Sequence, residues 1–263
     1  MPHNSEENYN AILNSPSYVL AEQDLDLLGR AALRPVRLQL ELLKTELALT
    51  EHGIESTIVV FGGTAVVEEV VAARRLERAK TWLAEDPENP LAKRALHRAE
   101  QVAKKSHYYD EARQFARLVS SSCQTNNRSE YVVITGGGPG AMEAANRGAY
   151  DVNAMSIGLN ITLPEEQRPN SYITPDLCFQ FHYFAIRKMH FLMRAKALVV
   201  FPGGFGTLDE LFEALTLVQT KKMVRIPIIM YGRSYWEKVI NFQFLADEGV
   251  IADDHLSLID YAE

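Results

Sequence analysis

Apolar positions along this chain fall into two rhythms. ESTIVVFGG (55–63), YVVIT (131–135), Ser156–Ile161, ALVVF (197–201) and RIPIIMY (225–231) are short, β-branched runs bounded by glycine or polar turn residues, and they read as buried strands. Between them the apolar residues return at helical spacing, over about Tyr108–Ser121, AMEAANRGAY (141–150), about His182–Ala195, TLDELFEALTLVQT (207–220) and about Tyr235–Glu248, with a last short strand at LSLID. Strands alternating with helices predict an α/β fold, a Rossmann-like doubly wound parallel sheet covered on both faces. Such sheets bind ligands at the carboxyl ends of their strands.

Upstream, the pattern changes. Residues 1–17 are polar and read as a disordered or loosely docked arm, and Leu27, Leu28, Leu38, Leu40, Leu42 and Leu43 mark a helical stretch that Pro35 is expected to split. We therefore divide the chain into a helical arm, residues 1–54, and a Rossmann-like nucleotide-binding domain, residues 55–263. Residues 66–105 are rich in Ala, Arg, Lys and Glu and are interrupted by DPENP (86–90), the pattern of a charged helical hairpin inserted into the alternation.

Composition narrows the function classes. A net charge of −7 and a pI near 5.6 leave no basic footprint for nucleic acid, though a few local cations suffice for a small anion. The two cysteines, Cys123 and Cys178, form neither a disulfide framework nor a metal spacing, and the polar start MPHNSEENYN lacks a signal core. No apolar run approaches the ~20 residues of a membrane helix. The expectation is a soluble cytoplasmic protein that uses no metal and no cofactor.

Three segments carry candidate chemistry. TGGGPGAMEAA, with Gly136, Gly137, Gly138 and Gly140, leads from strand into helix, where glycines admit a ligand to the backbone and the helix N-terminus attracts an anion. It has neither the P-loop Lys-Ser/Thr nor the dinucleotide G-x-G-x-x-G spacing. PGGFGTLDE repeats the design with Pro202, Gly203, Gly204, Phe205, Gly206 and Thr207. There Thr207 is expected at the N-cap with Glu210 three residues on, a capping box. Glu210 thus reads equally as a cap and as a catalytic carboxylate, and with Glu213 it is off the apolar face of Leu208, Leu211, Leu215 and Val218. Third, Arg187, His190 and Arg194 form a basic stripe that reads first as solvated surface, directly before the strand that delivers PGGFGT. Gly62, Gly63 and Thr64 read first as a plain turn that can also line the crevice.

GGGPGAMEAANRGA, the Arg187-Lys188 pair and PGGFGTLDE resemble the LOG (Lonely Guy) family, long labelled possible lysine decarboxylases, over roughly residues 56–260. The resemblance implies a nucleoside 5′-monophosphate phosphoribohydrolase that releases a free base, from AMP or a cytokinin-type nucleotide, and ribose 5-phosphate. It implies Arg187 and Glu210 as catalytic residues, and substrate contacts at Lys188, Gly203 to Asp209 (including Leu208), Thr216 and Glu166. It also implies a homo-oligomer, a dimer or larger. FAIRK stands where short plant-type members have Met-His-x-Arg-Lys, and the helical arm and hairpin resemble the long bacterial type. A competing reading is a non-catalytic nucleotide or nucleotide-cofactor carrier on the same scaffold. A pyridoxal-phosphate decarboxylase needs a committed Schiff-base lysine, and Lys188 and Lys196 read more simply as helix-surface or phosphate-binding cations.

Overall fold

A computed structural model describes residues 4–124, 129–164 and 168–263. The chain divides into two compact units, Met1–Glu46 and Leu47–Glu263. In the first, α1 (Ser5–Leu13) is capped by Asn4, whose side chain accepts the Glu6 N–H, and α2 (Leu25–Gly29) is capped by Asp24 through the Leu27 N–H. The polar N-terminal stretch, expected as a disordered or loosely docked arm, is helical over Ser5–Leu13 with no buried residue, because Asn4 supplies the cap and Glu6 and Glu7 favour the positive end of its dipole. The leucine-rich stretch does divide near Pro35, into α2 and α3 (Arg34–Glu51). Pro35 is the second residue of α3, where its missing N–H costs nothing. The division between units falls within α3.

The second unit is a seven-stranded sheet in the order β4-β3-β2-β1-β5-β6-β7, every pair parallel. Its strands are β1 (Thr57–Phe61), β2 (Val132–Thr135), β3 (Ser156–Ile161), β4 (Cys178–Phe181), β5 (Ala195–Val200), β6 (Ile228–Tyr231) and β7 (Asp260–Ala262). Beginning at the centre, the chain adds β2, β3 and β4 outward on one side. It then returns across β1 to build β5, β6 and β7 on the other. The order reverses between β1 and β5, which makes the crevice above their carboxyl ends the switch point of a doubly wound sheet.

Strand alternation feeds two cores. Val59, Phe61, Ile134, Leu198 and Val200 face one side, with Phe191, Leu211, Ala214 and Trp236 from α8 (Phe184–Met193), α9 (Phe205–Gln219) and α10 (Arg233–Val239). Ile58, Val60, Val133 and Val199 face the other, under Tyr109, Ala112 and Ala116 of α6 (His107–Cys123) and Ala141, Ala144 and Ala145 of α7 (Ala141–Tyr150). Central strands buried on both faces explain why these runs are continuously apolar.

The crossover from β1 to β2 contains the charged hairpin, α4 (Glu69–Glu85) and α5 (Pro90–Lys104), packed on each other through Ala72, Ala79, Ala92 and Ala99. Asn89 caps α5, its side chain accepting from the Leu91 and Ala92 N–H groups, with Pro90 at the first helical position.

Other differences from the pattern reading are local. The stretch expected as one helix over about 235–248 is α10 followed by α11 (Phe242–Asp247), restarted by the Asn241 cap. LSLID is mostly a 3-10 turn (Asp253–Leu258) before β7. Four-residue β4 was not assigned from the sequence at all. Among the described residues, no helix is long and apolar enough to cross a membrane.

Gly148 sets how closely α7 approaches α6: an added Cβ would lie 2.1 Å from the Arg113 carbonyl oxygen and 2.9 Å from the Ala116 methyl. Gly148→Ala should force the helices apart at roughly the 1–3 kcal/mol of core overpacking. Gly206→Ala, which meets nothing within 4 Å, should leave the melting temperature unchanged or slightly raised through its stiffer unfolded chain. Thermal melts of both variants check the pair; equal losses would contradict this packing.

Candidate functional site

Three loops converge at the switch point. Gly63, after β1, donates its N–H to the Pro202 carbonyl after β5 at 2.9 Å, and its own carbonyl accepts the Ala141 N–H at the start of α7 at 3.3 Å. Side chains are excluded where the loops touch. A Cβ on Gly62 would meet the Ala141 methyl at 2.5 Å, and one on Gly140, whose φ is +80°, would meet the Gly63 carbonyl at 2.4 Å. The Tyr235 hydroxyl donates to the Gly203 carbonyl at 2.7 Å and holds the β5 loop from beneath.

Above these loops lies a cavity of about 290 Å³. Of the residues singled out in the sequence, Gly62, Gly63, Thr64, Gly136, Arg187, Gly204, Phe205, Gly206, Thr207, Asp209 and Glu210 line it. Gly137, Gly138, Gly140, Pro202, Gly203, Lys188, Leu208, Glu213 and Thr216 are not among its lining residues. Gly137, Gly138 and Gly140 are buried in their own loop, and Lys188, Leu208, Glu213 and Thr216 line a shallow groove elsewhere along α9. Glu166 lies outside the described residues. Phe61, Met142 and Phe184 line the cavity without having been singled out. Phe184 precedes Arg187 by three residues on one helix, a spacing that put both on one face and could have found it.

The helix after the β5 loop begins earlier than a Thr207 cap requires. Gly204 is the N-cap, without a side-chain bond, and the first intrahelical bond runs from the Leu208 N–H to the Gly204 carbonyl at 3.0 Å. Paired glycines let the chain enter the helix at Phe205, so Thr207 falls within the first turn, buried against Gly203. The capping box is thus corrected: Glu210 is too far along α9 to reach the N-cap. The N–H groups of Phe205, Gly206 and Thr207 have no carbonyl one turn back to bond, and they carry the positive end of the helix dipole.

Glu210 is 6% exposed. Burial raises its pKa to about 7, against the pull of Lys188 and Arg187 and with the push of Glu213 and Asp209. Arg187 is half-buried. Burial lowers its pKa and the Glu210 charge raises it, and a guanidinium remains protonated throughout. Its Nε donates to the Leu159 carbonyl at 2.8 Å, and its guanidinium lies 5.1 Å from the centre of the Phe191 ring.

Lys188 does not join them. It bridges Asp209 and Glu213, each at 2.9 Å, and although burial opposes its charge, those two carboxylates hold its pKa above the ordinary lysine value. The expected solvated stripe is also corrected, since His190 is 2% exposed against the Phe181 ring and the Arg194 Nε donates to the Ile54 carbonyl. Helix α8 crosses the sheet, so the face read as solvated is largely turned inward. Among the described residues no group of three or more His, Cys, Asp or Glu could hold a metal ion.

Residues 142–263 match the family model described as possible lysine decarboxylase, a segment containing Arg187, the β5 loop and Glu210 but not the first two loops. No curated protein matches the chain. Among solved structures, it is similar to the molybdenum cofactor binding protein of Rippkaea orientalis, at 18% identity over 59% of this chain and 80% of that one, TM-score 0.43. It is also similar to TM1055, at 18% identity over 79% of this chain and 92% of that one, TM-score 0.44.

The Glu210 shift fixes the sign of a stability effect. Its carboxyl titrates near the ordinary 4.5 when unfolded and near 7 when folded, so the folded state holds the proton more tightly. The burial is harmless below about pH 4.5 and costs stability progressively as pH rises to about 7. Glu210→Gln removes the titration. The variant's advantage should be small at pH 5 and reach on the order of 3 kcal/mol at pH 8, at 1.36 kcal/mol per pKa unit. Denaturant melts at the two pH values check this; a variant less stable than the parent at pH 8 would refute it.

Proposed function

We propose, from the premise that residues 142–263 belong to the possible lysine decarboxylase family, that this chain hydrolyses the N-glycosidic bond of a nucleoside 5′-monophosphate. AMP or a cytokinin-type nucleotide would be cleaved to free base and ribose 5-phosphate. One observation carries the reading: a half-buried arginine and a buried glutamate face the cavity onto which the uncapped first turn of α9 opens. That turn suits a 5′-phosphate. Arg187 is a fixed, charged fork for the phosphate or ribose, and phosphate binding there would hold the sugar against the acid.

Cleavage leaves positive charge on the anomeric carbon, as in glycoside hydrolysis. Ionised Glu210 would stabilise that charge and accept a proton from the attacking water, whose oxygen bonds the anomeric carbon as the base leaves and takes up a proton. A pKa near 7 suits a group that both accepts and returns a proton at neutral pH. The family's name, possible lysine decarboxylase, invites a lysine-centred reaction, and the lysines here argue against it. Lys188 is held protonated between two carboxylates, and Lys196 is exposed on β5. We read the chain further as a homo-oligomer, because Phe205, Phe212, Met189 and Met193 leave apolar surface exposed on α8 and α9, and as cytoplasmic, because Cys123 and Cys178 are both free thiols.

The test is initial rates of base release from AMP, adenosine and ATP. A charge-assisted bond to phosphate contributes roughly 1.5–3 kcal/mol, so two or three should favour AMP over adenosine by several powers of ten in kcat/KM. With AMP, kcat should rise with pH through about 7, as Glu210 ionises. Glu210→Gln should bind AMP and barely turn over, and Arg187→Ala should lose most of the preference for the phosphate. Equal efficiency on adenosine and AMP would overturn the phosphate-anchored reading, and undiminished turnover in Glu210→Gln would remove the carboxylate from it.

A further inference from the structure

A buried amide network lies beneath the glycine loop after β2 and has no part in the reaction so far. Asn146, on α7, is fully buried, and its side chain engages three elements. Its Oδ1 accepts from the Thr135 hydroxyl at 2.7 Å and from the Asn170 amide at 2.9 Å, and its Nδ2 donates to the Ser156 hydroxyl at 3.0 Å. Asn170 then reaches the loop itself. Its side-chain amide donates to the Gly137 and Gly138 carbonyls, each at 3.2 Å, and its backbone N–H donates to the Gly137 carbonyl at 2.9 Å. On the other flank, the Gly137 N–H donates to the Thr135 hydroxyl at 3.0 Å.

Gly136 sits between these pins and lines the cavity. It is also where the arginine rests: a Cβ built on Gly136 would lie 2.7 Å from the Arg187 Nη2. Arg187 is also held by a hydrogen bond from its Nε to the Leu159 carbonyl and by the Phe191 and Phe184 rings, 5.1 and 5.9 Å from its guanidinium carbon, and its Nη2 edge rests against Gly136. We propose that Asn146 and Asn170 are positioning residues, which fix the Gly136–Gly138 backbone as the seat of the Arg187 guanidinium. Insofar as it concerns catalysis, this rests on the phosphoribohydrolase reading; the seat itself does not.

The experiment uses the full chain and Asn170→Ala. Asn170 is partly exposed, so its loss should spare the sheet. Hydrogen exchange followed by NMR at the Gly137 N–H and the Arg187 Nε–H should accelerate roughly tenfold or more in the variant, with the Val133 and Leu198 amides unchanged, as local opening requires. The isosteric Asn170→Asp keeps the oxygen that accepts the Tyr172 N–H at 3.1 Å but loses the donors to the loop. It should behave like the alanine variant and serves in its place if that variant does not fold. Asn89→Ala, which removes a helix cap in the hairpin, should leave both exchange signals alone. With AMP, Asn170→Ala should lower kcat by roughly ten- to a hundredfold, the scale of a misplaced catalytic group, and change KM less. Unchanged exchange at Gly137 and Arg187, or acceleration spread evenly over the chain, overturns the proposal. Selective acceleration in a protein whose parent releases no base from AMP upholds the seat and defeats the phosphoribohydrolase reading.

Discussion

Two hydrogen bonds on one residue join the parts of this site. Gly63 is bonded through its N–H to the β5 loop and through its carbonyl to the first residue of α7. The three strand-end loops are therefore tied to one another, although they come from segments separated by about 70 residues each. The arrangement is possible only where the sheet order reverses, because β1 there has β2 on one side and β5 on the other. It requires glycine at each point of closest approach, since a methyl group on Gly62 or Gly140 would collide with the neighbouring loop. The cavity is the space this clamp leaves beneath α8 and α9.

Into that space the fold turns two groups that water would otherwise hold apart. Burial is the largest influence on both Arg187 and Glu210, and it works against the charge of each. Their mutual attraction offsets part of the cost, but the carboxyl yields first because a guanidinium has no accessible neutral form. Near neutral pH the result is a permanent cation beside an acid that is neither fully protonated nor fully ionised. A hydrophobic pair would be cheaper to bury. That expense, together with the uncapped turn of α9, separates this crevice from an ordinary tight turn between strand and helix.

The sheet was legible because buried parallel strands read as unbroken apolar runs, and β3 and α7 were recovered to the residue. β4 was not, since CFQF is four residues of alternating burial at the sheet's edge and has no such run. The α9 start was misread for a backbone reason: Thr-x-x-Glu is a valid capping pattern, but two preceding glycines let the helix begin before the threonine. Lys188 was grouped with Arg187 as a neighbour in sequence, yet adjacent helical residues point about 100° apart, and only the arginine reaches the cavity. Asn146 and Asn170 carried no signal at all. Their role comes from contacts among α7, β2, β3 and the chain before β4, which no local pattern encodes.

The glycines also sort themselves by what surrounds them. Gly62, Gly63, Gly136, Gly137, Gly140 and Gly203 have neighbours that a side chain would strike or crowd, so the chain's own packing accounts for each. Gly204 and Gly206 are different: both line the cavity, neither has a positive φ, and an added Cβ on either meets nothing within 4 Å. No contact within the chain asks for glycine at Gly206, where, inside the helical first turn, alanine would be the more stable choice; Gly204 is the N-cap, a position that glycine suits better than alanine. What glycine does at those two positions is leave the unbonded N–H groups of α9 uncovered. The loop after β2, despite its richer run of glycines, contributes only Gly136 to the cavity and uses the rest to hold itself in place. It is therefore the first turn of α9, rather than the more conspicuous GGGPG segment, that the fold leaves open to the cavity.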